Sequence, residues 1–246
     1  MKHKKLLIAV GAVLFAAIAA AAVLIVTNTG KEPELPDELA QIDPTDMSQY
    51  YAMSEYYPPN DITAINVDWQ GGRVEVIGYN GEDYFVEEGA TRYLQENERL
   101  DYTLSDNTFS VHFCKEDQTI SDAYKKLEIR VPKTLAEKLT SLKINTNGEV
   151  VLRNITVGSI TVNGKEGNVK AQNAYSGSTV ITTTSGLVSL AVDNTIGYSV
   201  NFSSSKGKLD SYVDNGMNSY VSGDGKYPFK VKTKSGDLDI SLAEKE

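Results

Sequence analysis

Six glycines organise this chain. Gly148, Gly167, Gly186, Gly207 and Gly236 are separated by 19, 19, 21 and 29 residues, and each is followed two residues later by Val150, Val169, Val188, Leu209 or Leu238. Two positions further on stand Leu152, Ala171, Leu190, Ser211 and Ile240. Four or five residues before each glycine stand Ile144, Val162, Ile181, Phe202 and Val231, preceded at a spacing of two or so by Leu142, Ile160, Thr179, Val200 and Phe229. An earlier segment follows the same template, with Ile65, Val67, Gly72, Val74 and Val76. Each unit reads as strand, glycine corner, strand, polar corner, because apolar residues at a spacing of two share one face of a strand. A period of about 20 residues is too short for a pair of helices and suits one coil of a β-solenoid. Glycine at the corner predicts a backbone with positive φ. The expected fold is all-β: solenoid coils over 134–246, a hairpin-rich β portion over 61–133, and one preceding transmembrane helix.

That helix is expected at Leu6–Val26, an apolar run without a charged side chain and long enough, at 1.5 Å per residue, to cross about 30 Å of hydrocarbon. Lys2, Lys4 and Lys5 precede it, so residues 1–5 belong in the cytoplasm and the rest outside the membrane. The competing reading is a cleaved secretory signal with a site near Ala17-Ile18-Ala19, which would release a secreted protein. Residues 27–60 read as a tether, with Pro33, Pro36, Pro44, Pro58 and Pro59 among many acids. Asp46–Tyr57 has room for one short helical turn. Tyr50, Tyr51, Tyr56 and Tyr57 suit packing onto the first strands or stacking on sugar faces.

In the 61–133 portion, strands are expected at Tyr84–Glu87, Leu100–Leu104, Phe109–Phe113 and Leu127–Val131, the last stopped by Pro132. Ser105-Asp106-Asn107 signals a hairpin turn. Arg92–Arg99 reads as a short helix or a loop.

The order of motifs from Ile65 to Val76, then Leu127–Pro132, then the glycine units, resembles a bacterial family of "putative adhesin" β-strand-repeat domains of unknown function, including membrane-anchored proteins of Lia-type envelope-stress operons. The resemblance spans about 61–242. It implies a β-solenoid-like extracytoplasmic domain without an established enzymatic activity, and it supplies no catalytic residues.

The chain has 33 acidic and 24 basic residues, a net charge of −9. With the three leading lysines inside, the outer part carries −12. This disfavours nucleic acid as partner, since phosphate binding needs clustered Lys and Arg. One cysteine, Cys114, excludes an internal disulfide, and with two histidines excludes a structural zinc site. Alternation puts Ser110, His112 and Cys114 on one solvated strand face, which is a weak basis for nucleophilic catalysis. No cofactor motif is present, and neither calcium-loop spacing occurs.

The extra chain before Gly236, about 212–228, reads as a cap over the end of the solenoid or as a ligand loop. In the second case Asp214, Tyr220, Asp224 and Tyr227 are the candidate contacts. The expected function is a non-enzymatic binding or scaffolding module, anchored by Leu6–Val26, whose partner is a cell-envelope polymer or a surface protein. Two alternatives remain: a wall-polysaccharide enzyme using Asp210, Asp214 and Asp224, and a self-associating structural protein.

Overall fold

A computed structural model describes residues 43, 46–115, 120, 123–212 and 218–243, all within a compact unit spanning 42–246. The expected membrane helix Leu6–Val26, most of the tether and Asp214 lie outside the described residues. Among the described residues no helix is long and apolar enough to cross a membrane.

The strands in chain order are β1 (Tyr51–Tyr56), β2 (Ala64–Trp69), β3 (Arg73–Tyr79), β4 (Phe85–Ala90), β5 (Asp101–Ser105) and β6 (Thr108–His112). Then follow β7 (Lys125–Pro132), a single helical turn α1 (Lys133–Ala136), β8 (Ser141–Thr146), β9 (Glu149–Val157), β10 (Ile160–Gly164) and β11 (Val169–Ser176). The chain continues with β12 (Thr179–Thr183), β13 (Val188–Val192), β14 (Tyr198–Ser204) and β15 (Leu209–Ser211). It ends with β16 (Ser219–Ser222), β17 (Tyr227–Thr233) and β18 (Leu238–Leu242). Two sheets of nine strands result: a first sheet in the order β1-β4-β7-β3-β9-β11-β13-β18-β15, and a second in the order β16-β14-β17-β12-β10-β8-β2-β6-β5.

Each glycine unit puts one strand in the second sheet and the next in the first. Equivalent positions stack in parallel: Ile160 pairs with Leu142 and Thr179, and Val169 with Val150 and Val188. Alternation sends Leu142, Ile144, Val150 and Leu152 into one core between the sheets, while Lys143 stays exposed. Each such fully buried aliphatic contributes about 1.5–3 kcal/mol.

Spatial order is not chain order. The layers run β6/β7, β2/β3, β8/β9, β10/β11, β12/β13, β17/β18, β14/β15. At both ends the chain steps past one layer: from β7 to β8 it passes β2/β3, already laid down by an earlier segment, and from β13 to β14 it passes the place that β17/β18 later fills. The last strands of the chain thus lie inside both sheets, with ladder partners on each side, rather than at an edge that could template another chain. The outermost positions go to antiparallel strands: β16 beside β14, β5 beside β6, and β4 then β1 beside β7. The remaining edge, β15, is three residues long.

Several expectations change. Position 133 is no boundary, because β2 lies between β6 and β8 in one continuous sheet. The 61–133 portion contributes whole layers and is hairpin-like only at β5–β6, where Asp106 and Asn107 take φ of 51° and 57°. The tether does not run free to residue 60: a 3-10 turn forms at Met47–Gln49, and Tyr51–Tyr56 pairs with β4. Tyr56 stacks on Phe109 at 5.6 Å, and Tyr57 meets Phe85 at 5.4 Å, so these two rings pack on early strands. Arg92–Arg99 is loop with one 3-10 turn, Glu96–Glu98. Because β6 ends at His112, Cys114 turns inward and is buried, leaving the face it was expected to share with Ser110 and His112.

Candidate binding surfaces

The six predicted corner glycines form a single column in the order Gly72, Gly148, Gly167, Gly186, Gly236, Gly207. A Cβ at Gly148 would sit on the carbonyl oxygen of Gly72, one at Gly167 on that of Gly148, one at Gly236 on that of Gly186, and one at Gly207 on that of Gly236. At Gly186 it would lie 2.6 Å from the Gly167 oxygen. Within this column only Gly72 (80°) and Gly186 (97°) have positive φ. Close approach of successive backbones, and not φ alone, therefore selects glycine. Inward hydroxyls at the strand ends hold the corners: Thr146 Oγ1 accepts from Gly148 N at 2.9 Å, and Ser204 Oγ from Gly207 N at 2.7 Å.

The candidate ligand loop divides. Tyr220 and Tyr227 point toward the core and join an aromatic plug at the β14/β15 end. The Tyr198 hydroxyl lies 2.7 Å from that of Tyr212 and 3.4 Å from that of Tyr220, which is 3.1 Å from Ser211 Oγ. Burial, reinforced by these hydrogen bonds, drives the Tyr198 hydroxyl far above the usual phenol range. Tyr227 packs on Tyr175 at 5.1 Å, and Tyr175 accepts from Asp193 N at 2.7 Å. Asp224 sits in the turn between β16 and β17, where its Oδ1 accepts from Lys226 N at 3.0 Å. These residues cap the end. No group of three or more His, Cys, Asp or Glu that would hold a metal ion occurs among the described residues.

The opposite end closes around an ion pair with both side chains fully buried. Lys125 Nζ is 2.5 Å from Glu88 Oε1, donates to the carbonyls of Glu98 (2.9 Å) and Phe113, and lies over the Phe113 ring at 4.2 Å. Glu88 also accepts from Leu100 N at 2.9 Å and Ser54 Oγ at 3.2 Å. Burial pushes the Lys125 ammonium down, and the Glu88 carboxylate opposes this. Alternation predicts only that Glu88 faces inward with Val86. Its partner lies 37 positions away, so the pair carries no local signal.

The two outer faces differ electrostatically. On the first sheet, the charges of β7, β3, β9 and β11 are paired, whereas Asp210 and Asp239 stand side by side at the β15 end without a basic partner among the described residues. Lys170 meets Glu149 at 2.7 Å, Arg73 bridges Glu149 and Glu75, Arg153 pairs with Glu75, and Glu128 takes both Arg130 and Lys126. On the second sheet the outward positions of β8, β10, β12, β17 and β14 hold Lys143, Asn145, Thr161, Asn163, Val180, Thr182, Lys230, Lys232, Asn201 and Ser203. Asn163 Nδ2 donates to Asn145 Oδ1 at 2.9 Å, one rung of an amide ladder.

Residues 137–241 match the family model described as Toastrack DUF4097, which covers the layers from β8 onward. No match is found among curated proteins. Among solved structures, a "putative cell adhesion protein" from Clostridium sporogenes ATCC 15579 is similar over 78% of this chain and 100% of its own, with a TM-score of 0.59 and 14% identity. A "putative adhesin" from Bacteroides fragilis NCTC 9343 aligns over 81% of this chain and 99% of its own at a TM-score of 0.37 and 10% identity. The first likeness establishes a shared fold; the second is too distant to carry weight.

Proposed function

We propose that this chain, which carries a Toastrack DUF4097 domain over residues 137–241, is a non-catalytic β-solenoid held outside the bacterial membrane by Leu6–Val26, where it binds or scaffolds a component of the cell envelope. The supporting observation is the continuous stack itself. Its layers present two broad ladders of side chains repeating at about 4.8 Å, a geometry suited to an extended partner rather than a small molecule. The adhesion-related name of the Clostridium sporogenes structure is consistent with this reading. The apolar run preceded by Lys2, Lys4 and Lys5 supports the topology, and the Lia-type resemblance supports a place in the envelope-stress response.

The test has two parts. A membrane-impermeant amine reagent applied to intact producing cells should modify the exposed Lys206, Lys230, Lys232 and Lys234, and the protein should remain in the membrane fraction. Protection of these lysines until lysis would sink the topology. The detergent-solubilised full chain should co-sediment with wall or membrane fragments, and failure to pellet with either would sink envelope binding.

A further inference from the structure

We propose that the outer face of the second sheet, toward its β14 end, is a binding site for a linear polymer of phosphodiesters joined by hydroxylated linkers. The inference rests on the envelope-binding reading and adds a ligand class and a location.

Charge is unevenly placed in this acidic chain. Residues 1–133 hold 22 of the 33 acids against 12 basic residues, whereas 134–246 hold 12 basic residues against 11 acids. Within the latter half, Lys230, Lys232 and Lys234 alternate along β17 and its continuation, all exposed and outward. Their spacing is about 6.6 Å, two strand residues each. Lys165 follows β10 on the same side of the corner: Thr184 N donates to the Lys165 carbonyl, and Lys234 N to the Thr184 carbonyl. Lys143 extends the field across β8, and Lys206 rounds the corner after β14. None of these six lysines forms an ion pair among the described residues, and no carboxylate occupies an outward position of β8, β10, β12, β17 or β14. The first sheet shows the contrast, since Lys126, Arg130, Arg153 and Lys170 there all have carboxylate partners.

A row of uncompensated ammonium groups on a flat face attracts a polyanion, even where the whole molecule is acidic. The even spacing along β17 favours an anion that repeats at one short polyol–phosphate step over an isolated phosphate. Between the lysines stand Thr161, Asn163, Thr182, Asn201 and Ser203, which supply hydroxyl and amide groups for linker hydroxyls. No aromatic side chain lies outward on these five strands, so the face lacks the stacking platforms that single-stranded nucleic acid uses.

The experiment measures binding of the detergent-solubilised full chain to poly(glycerol phosphate), with single-stranded DNA and phosphatidylglycerol vesicles in parallel. Poly(glycerol phosphate) should bind best. Raising salt from about 50 to 200 mM should weaken it roughly 20-fold if three phosphates are neutralised at a slope near −0.7 each. Lys230→Glu/Lys232→Glu/Lys234→Glu should cost at least about tenfold in affinity with an unchanged melting transition. The equally charged control Lys115→Glu/Lys133→Glu/Lys138→Glu should cost far less. Equal losses in the two triple variants, tighter binding to DNA or vesicles, or no binding to the polymer would each overturn the proposal. Envelope co-sedimentation that persists in the β17 variant would overturn this site while leaving the envelope reading intact.

Discussion

At the β6/β7 end the space between the sheets is closed around Lys125 and Glu88; at the β14/β15 end it is closed by Tyr198, Tyr212 and Tyr220. Both ends must stop a stack that could otherwise continue, and both do so by threading the chain past a layer and laying an antiparallel strand outside. They differ in how the interior is sealed. A buried ion pair tolerates no loss of one partner, because the survivor is then an uncompensated charge. Loss of the buried Tyr198 hydroxyl is tolerated better, because the partners it leaves behind, exposed Tyr212 and half-buried Tyr220, can bond water instead. The first end is therefore the more specific and the more fragile under substitution. The second is fragile chiefly in its threading.

The largest expected effect tests the threading. Ending the chain at Gly225 removes β17 and β18, hence buried Phe229, Val231, Leu238 and Ile240, and separates β14/β15 from β12/β13. Those four side chains alone represent on the order of 10 kcal/mol, comparable with the whole stability of an ordinary domain. Limited proteolysis should then cut throughout 193–225. A truncated chain that melts cooperatively near the wild-type temperature would refute the interleaved order.

Next comes the ion pair. Glu88→Leu strands Lys125 and should cost about 3–5 kcal/mol in urea unfolding. Adding Lys125→Met should recover most of it, which a merely steric defect would not allow. At the other end, Tyr198→Phe should cost only about 1 kcal/mol. If the two losses are similar, the contrast between the ends is wrong.

A third measurement examines the repeat between the ends. Gly167→Ala places a methyl group on the Gly148 carbonyl and should cost about 1–3 kcal/mol as overpacking. Gly71→Ala, where nothing lies within 4 Å, should be near neutral.

These elements were legible to different degrees. The all-β class, the two-strand unit and the glycine column followed from periods of 2 and about 20, since burial on one face of a strand leaves a local trace. The order of layers left none. Val200 and Phe202 fit the inward positions of a layer as well as Phe229 and Val231 do, so alternation cannot say which stacks on Ile181. Long-range pairs such as Lys125–Glu88 are equally silent. For the candidate surface, Tyr220 and Tyr227 were singled out for lying in the longest gap, but an amphipathic ring serves a cap as readily as a ligand. The lysine field was missed because its members come from separate units, and only parallel stacking makes them neighbours.

The smallest expected effect sharpens the contrast by pH. Glu98 borders the ion-paired end, where its backbone carbonyl accepts from Lys125. Its carboxylate accepts two 2.9 Å hydrogen bonds from Arg92 and one of 2.8 Å from Gln95 N. The Arg92 bond, first, holds the Glu98 carboxyl at about 2, below its ordinary 4.5; burial works against this, while the Gln95 bond and nearby positive charges assist. A carboxyl depressed by folding adds stability above its unfolded value, and that contribution fades as pH falls from about 4.5 toward 2. The pair is partly exposed and screened, so the effect should be about 0.5 kcal/mol. Urea midpoints from pH 6 to 3 should fall more steeply in wild type than in Arg92→Gln, and the curves should converge in acid. Tyr198→Phe, at the hydroxyl-sealed end, should run parallel to wild type throughout, because the hydroxyl it removes bonds the Tyr212 and Tyr220 hydroxyls rather than a carboxylate.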